Sequence, residues 1–118
     1  MPVIANLKSG GPLSVISIAG KVSAGETWNP VAQILDQVRS EGARKVVLNL
    51  SGVPFIDSAG LGLLVMNLSK MKAAGGLLRL AEPQDRVQSA IKTTQLTDLF
   101  PFFATEQEAI NSFSQPAV

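Results

Sequence analysis

Asp57, Ser58, Gly60 and Gly62 stand together in "PFIDSAGLGLLV", residues 54–65, where one apolar run ends and another begins. Three chemistries suit a carboxylate and a hydroxyl at such a junction. Either side chain can cap a helix, a position for which Asp and Ser are both preferred. A serine with a base beside it can act as a nucleophile. A serine at a helix N-terminus can also take a phosphate, which adds about −1.5 to −2 charges and is favoured there by free N–H groups and the helix dipole.

The nucleophile lacks its supporting cast. The chain contains no His, the commonest general base and metal ligand, and no Cys, so it has no thiolate, disulfide or cysteine metal site. Ile56 stands where a nucleophile elbow requires Gly. Phosphate-cradling loops are absent too. Val65 replaces the third glycine of a dinucleotide fingerprint, and around Gly20-Lys21 the first glycine of a P-loop is Val15 and its Ser/Thr is Val22. No catalytic residue, metal ligand or cofactor is assigned. Capping alone leaves other residues unexplained. Leu63 and Met66 lie off the helical face set by Leu61, Leu64, Val65 and Leu68, so the helix start is apolar on two sides, as deep burial or a docking surface requires. Gly60 and Gly62 each weaken a helix by about 1 kcal/mol relative to Ala, which calls for a close approach to the backbone by the sheet or by another protein.

The elements around the junction follow from periodicity. Residues 3–8 and 13–20 read as a hairpin across the turn "SGGP". From Glu26 to Glu41, Trp28, Val31, Ala32, Leu35 and Val38 keep helical spacing, and Gly42 can end that helix. "KVVLNL" (45–50) is apolar on both faces, as a buried strand of a parallel sheet must be. A helix from the Asp57–Ser58 junction ends at "GG" (75–76), after Lys70 and Lys72. "LLRLA" (77–81) is a strand. Val87, Ala90 and Ile91 mark a helix, "FPFFA" (100–104) a short edge strand, and residues 106–113 a last helix before the tail 114–118. Alternating strands and helices predict an α/β fold, a mixed, mostly parallel sheet of four to five strands with packed helices and an N-terminal hairpin. Strand ends facing helix starts are where such folds place their sites.

The chain has 118 residues, 46% of them hydrophobic, as one domain with a core requires. Its net charge of +1 and the absence of a basic block argue against nucleic acid or an anionic membrane as partner. Neither a membrane span nor a signal-peptide pattern is read, and the expected location is the cytoplasm.

"VVLNLSGVPFIDSAGLGLLV" (46–65) resembles the signature of STAS domains, the fold of bacterial anti-sigma factor antagonists. "KAAGGLLRLAEP" (72–83) is similar to the helix end and strand that follow there. The resemblance runs from about Leu13 to Phe113 and implies a single STAS domain over 1–118. It implies a phosphorylation-switched binding module whose partner is an anti-sigma factor with serine kinase activity, with a phosphatase as a further candidate partner. By position, Ser58 is then the phosphoacceptor. Asp57, Ala59, Gly60, Leu61, Gly62, Leu63 and Met66 belong to the contact region. Ala59 replaces the usual Ser or Thr, leaving one acceptor hydroxyl. Val22 and Ser23 replace the usual Leu-Asp at the end of the second strand, so Ser23 is either a partner contact or a helix cap. The alternative is a scaffold or sensory STAS subunit of a larger assembly, without regulated phosphorylation. The oligomeric state is left open between monomer and dimer.

Overall fold

A computed structural model of the chain describes residues 4–9, 13–20, 29–94 and 102–113. The strands are β1 (Ile4–Ser9), β2 (Leu13–Ala19), β3 (Lys45–Gly52), β4 (Leu77–Ala81) and β5 (Phe102–Phe103). The helices are α1 (Asn29–Ser40), α2 (Ser58–Ala73), α3 (Asp85–Thr93) and α4 (Glu106–Ser112). They form one five-stranded sheet in the order β1-β2-β3-β4-β5. The β1–β2 pair is antiparallel and every later pairing is parallel. This is the expected mixed α/β architecture with its leading hairpin. The turn residues 10–12, Ser23, Trp28, Pro101 and the tail 114–118 lie outside the described residues.

β3 is the middle strand, and its apolar run has the expected cause. Val46, Val47, Leu48 and Leu50 are all fully buried, because both faces are covered. One face carries Ile16, Ile18, Val46, Leu48, Leu50, Leu78 and Leu80 into a cluster completed by α1, α2 and α3 through Val31, Leu35, Leu61, Leu64, Leu68, Val87 and Ile91. On the opposite face Val15, Val47 and Ala81 form a smaller cluster with Ala109 of α4, which covers them. There the Arg79 guanidinium lies 4.8 Å from the centroid of the Phe113 ring, and its Nε donates to Ser112 Oγ at 3.2 Å. Burial lowers the pKa of that guanidinium from its ordinary value.

Two helices end as their glycines predict. Gly42 (φ +96) and Gly75 (φ +83) occupy left-handed backbone that Gly adopts without a Cβ clash. At each end the next residue bonds back across the last turn, Ala43 N to Val38 O at 2.9 Å and Gly76 N to Met71 O at 2.8 Å. α2 is thus held at both ends and clamped to the core by Leu61, Leu64, Leu68 and Met71. Val65, on the expected core face of the helix, is half-buried and packs at the margin of the cluster. The buried face turns instead through Gly60, Leu64, Asn67 and Met71. Asn67 is accommodated there because its Nδ2 donates to the Leu63 carbonyl at 2.8 Å.

Candidate functional site

The C-terminal ends of β2 and β3 lie close together. Gly20 N donates to Gly52 O at 2.9 Å, and a Cβ on Gly52 would sit 3.0 Å from the Ala19 Cβ and from the Ile18 carbonyl. From there residues 53–57 lead the chain to α2. Val53 and Ile56 point into the core, fully or almost fully buried, and hold this loop down. Pro54 is exposed and Phe55 half-buried.

The structure divides the roles at the junction. Asp57 is the cap: its backbone is extended (φ −93, ψ 176), and its Oδ1 accepts from Gly60 N at 2.7 Å. Ser58 is the first helical residue and is exposed, and among the described residues its hydroxyl has no hydrogen-bond partner. No acidic side chain follows in the first turn, and the first charge on α2 is Lys70. Ser58 therefore sits in the positive field of the helix start with its hydroxyl free.

Ala59, Gly62, Leu63 and Met66 fall at i, i+3, i+4 and i+7 and so share one helical face. Ala59 and Gly62 are exposed, Met66 is 45% exposed, and Leu63 is half-buried. A neutral, low-relief apolar strip thus runs along α2 away from Ser58. Gly60 and Leu61, also expected in the contact region, are buried against the core and support this strip from beneath. At Gly62 an added Cβ would meet nothing within 4 Å among the described residues, so of the two close approaches expected there the sheet makes none and that by another protein stays open.

The first turn of α3 joins the same end of the sheet and was not foreseen. Gln84 Nε2 donates to the Ser51 carbonyl at 2.8 Å, and the Arg86 guanidinium lies 5.1 Å from the centroid of the Phe55 ring. The rule that strand ends gather sites points to the end of β4 as well as to that of β3, and it was the one signal available. Among the described residues, no group of three His, Cys, Asp or Glu side chains could hold a metal ion. None of the described helices is long and apolar enough to cross a membrane.

This fold, with a capped helix presenting a serine at the end of the middle strand, defines a class. The STAS domain family model matches residues 5–109, and the chain belongs to that family. A Thermotoga neapolitana protein named as an anti-sigma factor antagonist is 32% identical over 77 residues, covering 65% of this chain and 68% of its own length. The anti-sigma-B factor antagonist of Staphylococcus aureus is 29% identical over 93 residues, 79% of this chain and 77% of that protein. Among solved structures, an anti-sigma factor antagonist of Thermotoga maritima superposes with a TM-score of 0.83 at 23% identity, covering 94% and 95% of the two chains. Unphosphorylated SpoIIAA, another anti-sigma factor antagonist, superposes with a TM-score of 0.71 at 22% identity, covering 97% and 99%. The phosphorylated form of SpoIIAA, a Bacillus cell fate determinant, gives 0.66 at 23%, covering 92% and 98%.

Proposed function

We propose that this protein is an anti-sigma factor antagonist of the cytoplasm, a binding module and not an enzyme, which binds an anti-sigma factor with serine kinase activity and is released by phosphorylation of Ser58. The observation that carries the reading is the separation of cap from serine: Asp57 holds the helix, and the Ser58 hydroxyl is left exposed and uncommitted. Phosphate on Ser58 meets the free N–H groups and the dipole of α2, so the fold tolerates it. A partner shaped to the neutral strip does not. A dianion brought against such a surface is desolvated or faces like charge, a penalty of several kcal/mol. About 3 kcal/mol is already a hundredfold in affinity, enough to empty a micromolar complex. The names of the relatives support the antagonist role, and SpoIIAA, known in both phosphorylation states, supports the switch.

The partner contacts proposed are Asp57, Ser58, Ala59, Gly62, Leu63 and Met66, with Ser23 as a further contact. Titration calorimetry with the purified anti-sigma factor tests the proposal. Ser58→Ala binds as the unmodified protein does, and Ser58→Asp binds at least tenfold more weakly while melting near the wild type. Equal affinities of the two variants refute the switch and favour the scaffold alternative.

A further inference from the structure

Gln84 occupies the cap position of α3 in extended backbone (φ −66, ψ 161), yet its side chain makes no bond to its own helix. It reaches instead to the Ser51 carbonyl, 33 residues back in the chain. Ser51 is held from its other side too, since its N–H donates to Asn49 Oδ1 at 2.9 Å, and Asn49 is itself buried and donates to Glu106 Oε1 at 2.9 Å. The base of the loop that leads to Ser58 is thereby fixed through both polar groups of one peptide residue. Arg86 fixes its middle: the guanidinium covers Phe55, three residues before Ser58. Neither Gln84 nor Arg86 is needed to build α3, whose buried residues are Val87 and Ile91. Both are exposed, and ordering such long side chains is entropically unfavourable, so their shared target is the feature to explain.

We infer that Gln84 and Arg86 are positioning residues: the start of α3 clamps the end of β3 and the loop 53–57, and sets the pose in which the Ser58 hydroxyl is offered to the kinase. The inference rests on the reading of Ser58 as phosphoacceptor, and its test has one arm independent of that reading. In the first arm, amide hydrogen exchange is followed on the full chain carrying Gln84→Glu and Arg86→Ala. Glutamate keeps the shape of Gln84 but cannot donate to a carbonyl, and at a helix start its charge does not harm α3. The amides of residues 52, 53 and 55–58 exchange about tenfold faster in the double variant, equal to about 1.4 kcal/mol. Those of β4 and of the second half of α2 do not change.

In the second arm the same variants are phosphorylated by the purified anti-sigma factor kinase. The kcat falls severalfold at unchanged KM, and Arg86→Lys, which keeps a cation over the ring, retains most of the rate. Unchanged exchange in the loop overturns the clamp, whatever the kinase does. Faster exchange with an unchanged kcat overturns the positioning role. A wild-type chain that takes no phosphate on Ser58 refutes the phosphoacceptor reading and the kinase half of the inference with it, while the exchange arm still decides the clamp.

Discussion

Replacing Asp57 separates two contributions that sequence alone confounds. Its Oδ1 accepts from Gly60 N at 2.7 Å, the third amide of α2, and its charge lies at the positive end of a 16-residue helix. Losing an N-cap acceptor costs about 0.5–2 kcal/mol, and losing a charge favourable to the dipole about 0.3–1 kcal/mol. The two overlap, so Asp57→Ala is expected to cost about 1–2 kcal/mol. Asp57→Asn keeps the acceptor and gives up the charge alone, and should cost well under 1 kcal/mol. Ser58→Ala, at an exposed residue whose hydroxyl has no partner among the described residues, should stay within about 0.5 kcal/mol of wild type. Urea denaturation at constant m-value resolves these steps. In thermal melts the Ala cap variant should lose several degrees, at about 4 °C per kcal/mol for a domain of this size. If Ser58→Ala destabilises more than Asp57→Ala, the serine is the cap and the separation of roles is wrong.

Three further outcomes are expected. Leu64→Ala, at a 1% exposed position in the main cluster, should cost about 2–5 kcal/mol in chemical denaturation, and a loss well under 1 kcal/mol would mean that the packing face of α2 is misplaced. Gly62→Ala adds a Cβ that meets no atom within 4 Å among the described residues, so it should stabilise the free protein by about 0.4–1 kcal/mol while weakening the complex with the anti-sigma factor in calorimetry. A broad serine-hydrolase probe should leave Ser58 unlabelled by intact-mass measurement, because among the described residues no base reaches its hydroxyl.

The elements that position Ser58 were legible because each is set by a local rule. The all-apolar β3, the spaced apolar residues of α2, and Gly42 and Gly75 at the helix ends need no knowledge of distant sequence. The division between Asp57 and Ser58 was not legible, since both residue types cap helices and only the backbone at 57 shows which one does. Val65 reaches only the margin of the cluster because an apolar helix offers more candidate positions than its packing face can bury. Gly60 and Leu61 carry the signature of the junction, but pattern does not reveal which residues of a motif face outward. The Gln84–Ser51 bond was beyond reach, since a side chain choosing a carbonyl 33 residues away leaves no periodicity behind.

The two faces of the sheet are unequally furnished. The helix that carries Ser58 belongs to the large cluster, whereas α4 sets Ala109 on the few buried side chains of Val15, Val47 and Ala81. Cooperative opening follows such inequality, so the α4 side is expected to exchange at lower free energy than the α2 side. The light side is accordingly the place for labels. A fluorophore or spin probe attached at exposed Gln107 or Asn111 stands on the reverse of the sheet from α2, and can report on the protein while the docking strip is left as it was.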